Sequence, residues 1–171
     1  MKRLASESME PEKEIEFLEL IRAFNRRGIR YLIIGRRAVI LYGAPVLTAD
    51  HDLWIHPEDK RKALHLLQDD LGFELSHPPD TKRPILTGYS GMRKYDLFFD
   101  RRVKTFENES VEFEACHEGS VIREDAKQEV HFRIPSIDDL IRLKKVREPN
   151  VKDEQDIAYL LEAKRLWPKQ R

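Results

Sequence analysis

Apolar residues at Phe17, Leu18, Ile21 and Phe24 recur at steps of three and four, so the stretch from Glu12 to Arg27 is expected to form an amphipathic helix. Gly28 is placed to end it. Tyr31–Ile34, a short run rich in β-branched residues between Arg30 and Gly35, reads as a buried strand. The segment Ala38–Tyr42 suits a short helix stopped by Gly43 and Pro45, and Asp50–Ile55 alternates well enough for a second strand. Pro57 opens a charged helix whose inner stripe is Ala63, Leu64, Leu67 and Leu71. A short strand is expected around Phe73–Leu75.

His77 to Ser90 contains three prolines and Gly88, and reads as loop. Lys94–Phe99, Val111–Ala115 and Val130–Ile134 are expected strands, the last two joined by a polar stretch around Gly119. Ser136, with Asp139 three residues on, resembles a capping box opening a helix through Lys145. After Pro149 a final helix starts at Asp153, with Ile157, Leu160 and Leu161 on one side. Helix and strand alternate early and strands cluster later, which predicts an α/β (or α+β) fold, a mixed sheet with helices packed on it. Residues 1–11 are expected to be a loose tail and 12–171 a single domain.

The chain has 171 residues with 31 basic and 31 acidic side chains, so no global field draws it to nucleic acid or an acidic membrane. Cys116 is the single cysteine, which excludes an intrachain disulfide and argues against a Cys-based zinc site. The first residues lack the apolar core of a secretory signal, and no apolar run approaches the ~20 residues of a membrane span. These features predict a cytoplasmic protein. Charged residues make up 36% of the chain while Asn and Gln are few. That balance suits a heat-adapted (thermophile) protein or an ordinary, highly charged bacterial surface.

The chemistry concentrates in Asp50-His51-Asp52. On a strand, residues i and i+2 share a face, so the two carboxylates point the same way. Burying such a pair without a cation costs several kcal/mol by general magnitudes, and hard oxygen donors suit Mg²⁺, which also takes substrate phosphate oxygens. Two features strengthen this reading. One is the apolar strand ending at Gly35 before a helix, a place for backbone N–H groups to meet an anion. The other is Asp96 inside Tyr95-Asp96-Leu97-Phe98-Phe99, a charge within an aromatic strand that calls for a partner. His51 alternates to the opposite face, where a core or supporting role is expected. Trp54 shares the aspartate face, where it would pack or stack on a base. Arg26, Arg27, Arg30, Arg36 and Arg37 form a basic cluster near this site, either for phosphate or as solvated helix ends.

The run from Tyr31 to Trp54, with Asp96 in its strand, resembles the DNA polymerase β-type nucleotidyltransferase superfamily, and within it the small AbiEii-like bacterial nucleotidyltransferases. Ile134 to Leu140, Lys144, Lys152-Asp153 and Asp156-Ile157 resemble their closing helices. The resemblance implies Asp50, Asp52 and Asp96 as catalytic residues and ligands of Mg²⁺ or Mn²⁺, with Asp96 helping to deprotonate the acceptor. It implies Gly35, Arg36, Arg37, Thr48 and Lys144 as nucleotide-binding. The implied reaction transfers a nucleoside monophosphate from an NTP such as ATP to a hydroxyl on a small molecule, a tRNA or a protein.

Two positions depart from that pattern. Arg36 stands where the family has Gly or Ser, so its side chain either crowds the triphosphate or swings out to pair with phosphate. Val46 stands where many relatives carry Arg. The alternative expectation is therefore a degenerate, non-catalytic nucleotide-binding protein of toxin–antitoxin type acting through a protein partner. A phosphohydrolase is disfavoured, since neither a separate general acid nor a histidine cluster is evident.

Overall fold

The computed structural model describes residues 14–166. The expected tail, 1–11, and the first two residues of the expected opening helix, 12 and 13, lie outside them; residues 14–16, also expected in that helix, are not helical, Glu16 being extended at φ −70° and ψ 152°. Among the described residues no helix is long and apolar enough to cross a membrane.

The first helix, α1 (Phe17–Arg27), buries Leu20, Ile21, Ala23 and Phe24, and ends at Gly28. β1 (Tyr31–Ile34) follows as expected, then α2 (Gly35–Leu41) and β2 (His51–Ile55). The charged helix is one helical run in three parts: a 3-10 turn (Pro57–Asp59), α3 (Lys60–His65) and a π turn (Leu66–Asp70). Ala63, Leu64 and Leu67 are buried as the stripe predicted. Then come β3 (Glu74–Leu75), β4 (Ile85–Ser90) and β5 (Arg93–Phe98).

The expected loop over His77–Ser90 is thus half strand. β4 pairs antiparallel with β5 along its whole length, from Ile85 opposite Phe98 to Ser90 opposite Arg93. Gly88, read as a breaker, is instead a close-approach residue: a methyl group there would sit 3.2 Å from the Phe73 ring. The small hairpin strands β6 (Arg102–Lys104) and β7 (Ser110–Glu112) precede α4 (Phe113–Glu118). The strand expected over Val111–Ala115 therefore gives way to helix at Phe113, whose ring turns inward edge-on to Trp54. β8 (Val121–Asp125), absent from the sequence reading, forms a hairpin with β9 (Val130–Ile134).

Ser136 caps α5 (Ile137–Leu143) by accepting from the Asp139 N–H, as its motif implied. The last helix, α6 (Val151–Leu166), begins two residues before the expected start. Asn150 and Asp153 exchange side-chain-to-backbone bonds of 2.8 and 3.2 Å, a reciprocal cap that fixes the earlier start. Leu160 is buried, but Leu161 faces solvent.

The main sheet has five strands in the order β1-β2-β5-β4-β3, with β2 and β5 parallel and the other pairs antiparallel. It is a mixed sheet in an α/β protein. One face carries Tyr31, Ile33, Leu53, Ile55, Tyr95 and Leu97 and joins the main core with α1, α2 and the α3 run. On the other face Leu32 and Trp54 pack with Val111, Phe113 and Cys116 in a smaller cluster. That smaller cluster covers only part of the second face. The uncovered part carries the acidic side chains.

Candidate active site

The parallel pairing of β2 and β5 sets Asp52 opposite Asp96, between His51 opposite Tyr95 and Trp54 opposite Phe98. Since side chains alternate across a strand, Asp52, Trp54, Asp96 and Phe98 share the second face, while His51 and Tyr95 turn into the core. His51 is sandwiched there, its ring 5.0 Å from Phe17 and 4.7 Å from Tyr95. Burial, then Arg37 and Arg93, push its pKa down to about 4, so it is a neutral packing group.

On the other side of β2, β1 brings Ile34 opposite Asp52. The next residue, Gly35, has φ +67°, and a methyl group on it would lie 3.1 Å from the Asp52 carboxyl carbon and closer still to Oδ2. Both the turn and the close approach require glycine. The carboxylate of Asp52 is thereby pressed against bare backbone. Burial, the negative charges of Asp96 and Asp50, and incomplete compensation by Lys144 and Lys94 raise its pKa from 3.8 to about 6. Asp96 accepts a hydrogen bond from Thr87 Oγ1 at 3.2 Å and has Lys94 Nζ at 3.6 Å.

Asp50 precedes the first residue of β2 and is exposed. Its segment is tied down by the two nearest expected nucleotide contacts. Arg37 Nη2 donates to the carbonyls of Thr48 (3.2 Å) and Asp50 (3.5 Å), and the Asp50 N–H donates to Thr48 Oγ1 (3.1 Å). The Arg37 guanidinium also lies over the Phe17 ring.

Arg36 turns sideways out of the turn. Its Nε bonds Asp156 Oδ1 at 3.2 Å and its Nη2 bonds Gln155 Oε1 at 2.9 Å. Lys144 Nζ holds the other oxygen of Asp156 at 2.9 Å, and Asp156 is 0% exposed. The remaining arginines of the basic cluster scatter: Arg27 pairs with Asp70, and Arg30 grips Asp59 through Nε and Nη2.

A cavity of about 380 Å³ opens beside Asp52, lined by Ile34 at the end of β1, Gly35 at the start of α2, Leu143 at the end of α5 and Lys144 just after it. Trp54 lines it, 1% exposed, with its indole N–H given to the Asp100 carbonyl at 2.7 Å. Among the described residues no three His, Cys, Asp or Glu side chains gather as a ready-made metal cage. The close acidic pair still fits a hard divalent ion, because Mg²⁺ commonly takes one or two carboxylates and completes its shell with water and substrate phosphates.

No family model and no curated protein matches the chain in sequence. Solved structures do match its backbone. The lincosamide antibiotic adenylyltransferase LnuA, in its lincomycin-bound form, superposes with a TM-score of 0.62 at 14% identity, over 88% of this chain and 99% of that one. ANT(2'')-Ia in complex with adenylyl-2''-tobramycin gives 0.55 at 17% identity, over 84% of each chain. An antigenic nucleotidyltransferase-like protein from Paracoccidioides brasiliensis gives 0.55 at 17% identity, over 86% of this chain and 72% of that one. This is the nucleotidyltransferase fold.

Within that nucleotidyltransferase fold, three contributors escaped the sequence reading. Thr87 lay in a stretch taken for loop, and Asp156 and Gln155 were noted only as part of a closing helix. The i, i+2 spacing of the acidic pair was visible, but the partners of Arg36 and Lys144 come from 119 and 12 residues away respectively, beyond any local pattern.

Proposed function

We propose that the chain is a nucleotidyltransferase that moves a nucleoside monophosphate from an NTP to a hydroxyl acceptor. The observation that carries this reading is the in-register pairing of Asp52 with Asp96 on adjacent parallel strands, beside an open cavity. Asp52 and Asp96, with Asp50 at the strand entrance, would hold Mg²⁺ or Mn²⁺. Such an ion, when bound, neutralises the charge that develops on the attacking and leaving oxygens. Asp96 would orient the acceptor hydroxyl and take its proton as the new bond to the α-phosphorus forms. The bond from that phosphorus to the bridging oxygen breaks, and pyrophosphate leaves with the electron pair. Lys144, held by Asp156, stands at the cavity rim with its positive charge toward this region.

Arg36 fits an active site. Its guanidinium is drawn to Asp156 and Gln155, so the arginine at a position the related pattern fills with Gly or Ser is held by α6.

The test is incubation with each labelled NTP, Mg²⁺ or Mn²⁺, and small hydroxyl compounds, tRNA or lysate proteins as acceptors. Label transfer that disappears in Asp52→Asn and Asp96→Asn supports the reading. Equal calorimetric affinity of wild type and Asp52→Asn for Mg·ATP refutes it. A stoichiometric protein partner without any label transfer would favour the toxin–antitoxin alternative.

A further inference from the structure

The wall of the cavity beside Asp52 is apolar: Trp54, Phe98, Val103, Leu140, Leu143 and Val146. In a chain with 36% charged residues, such a wall left open beside a reactive site is a specific feature. The charged members are Asp52, Lys144, Arg147 and Asp153. Asp52 belongs to the acidic pair, and Asp153 is committed to Arg147 (3.3 Å) and the Asn150 N–H (3.2 Å). Lys144 is equally committed to Asp156 (2.9 Å) and Arg147 to Asp153, so apart from the acidic pair no charged side chain among the described lining residues stands ready for a charged ligand.

Among the described residues the lining has no Ser, Thr, Asn, Gln, Tyr or His side chain, and its one neutral polar side-chain group, the Trp54 indole N–H, is already donated to the Asp100 carbonyl. A nucleobase buried there would leave ring nitrogens and exocyclic groups without side-chain partners, at a cost of roughly 1–3 kcal/mol for each such group. An alkyl or alicyclic body carries no such penalty. It gains about 25 cal/mol for each Å² removed from water. The volume, about 380 Å³, lies in the range of small-molecule pockets.

We propose that this slot is the acceptor subsite, and that the acceptor is a small, uncharged hydroxyl compound with an apolar body. The inference rests on the nucleotidyl-transfer reading and adds the acceptor class. The apolar body lies between Phe98, Val103 and Val146. Its hydroxyl is at the Asp52/Asp96 end, where the oxygen attacks the α-phosphorus, pyrophosphate departs and the hydroxyl proton passes to Asp96. The nucleoside lies outside the slot, so nucleotide and acceptor bind together.

The experiment uses hexyl β-D-glucopyranoside as probe, with kanamycin as a polycationic control and adenosine as a nucleobase control. Binding is read by calorimetry and, in a Trp167→Phe chain, by emission of Trp54. The expected result is that the glucoside binds and shifts Trp54 emission, kanamycin does not, and saturating Mg·ATP leaves glucoside affinity unchanged. Val146→Glu, at a residue 43% exposed and so tolerant of charge, should weaken the glucoside about tenfold or more while Mg·ATP binds as before. Val103→Gln is the second variant, should the first not fold. Displacement of the glucoside by adenosine overturns the inference by making the slot the base site, as does preferential binding of kanamycin. In either case Mg·ATP binding that depends on Asp52 still upholds nucleotidyl transfer. Loss of that dependence sinks both.

Discussion

Asp52 shows what crowding a buried carboxylate does to stability. Its folded-state pKa, about 6, lies above the ordinary 3.8, so the folded protein holds a proton that the unfolded chain has already released between those values. Stability contributed by the neutral form is complete below about pH 4 and is lost as pH rises through about 6. At pH 8 the ionised, crowded carboxylate costs up to about 3 kcal/mol. Asp52→Asn is therefore expected to be more stable than wild type at pH 8 by about 1–3 kcal/mol, and the gain should vanish toward pH 4. Urea melts at the two pH values, without divalent ions, check this. The neighbour that makes the arrangement possible is Gly35. Gly35→Ala meets both the φ of +67° and the overlap with Asp52, and should lose about 2 kcal/mol or more along with Mg·ATP binding. A Gly35→Ala protein with wild-type melting and nucleotide affinity would refute the close packing. Cys116 makes the opposite point: buried, and raised to about 12 by burial and Asp139, its thiol should resist iodoacetamide until the chain is unfolded.

Elements whose hydrophobic rhythm is set locally were legible; those made by pairing were not. β1 and β9 fall where their apolar runs ended, and Ser136 marked the start of α5. β4 escaped because prolines at 78, 79 and 84 and Gly88 read as loop, whereas the strand exists through its partner β5 and through Phe73 lying over the glycine. β8 escaped because its residues are half exposed, with Ile122 facing solvent, so pairing with β9 rather than burial defines it. The acidic site was half legible for the same reason. The spacing of Asp50 and Asp52 is local, but the opposition of Asp52 and Asp96 depends on a parallel crossover. α6 reaches the site through one buried carboxylate. Asp156→Ala leaves Arg36 and Lys144 without their shared anion and should destabilise the protein by about 3–5 kcal/mol. Asp156→Glu should recover part of this if the charge is what matters. Chemical denaturation of the pair of variants separates charge from packing, and a loss under ~1 kcal/mol in the Ala variant would remove α6 from the architecture of the site.

At the scale of the molecule, the sheet is packed heavily on one face and only partly on the other, and the unfinished face carries its uncompensated negative charge. A protein built this way should be completed by its ligand. Any species that binds the folded chain alone stabilises it by RT ln(1 + [L]/Kd), about 2.7 kcal/mol at a hundredfold excess over Kd. For a chain of this length that corresponds to a rise in melting temperature on the order of 5–10 °C. Mg²⁺ with ATP should produce it. ATP with EDTA should not, because the triphosphate then adds negative charge beside Asp52 and Asp96 with no cation between them. In Asp52→Asn the metal-dependent increment should shrink even though the starting melting temperature is higher. That crossing, a more stable variant that gains less from its ligand, is what a destabilised binding site predicts. A variant and wild type that rise in parallel would mean that the open acidic face takes no part in binding the nucleotide.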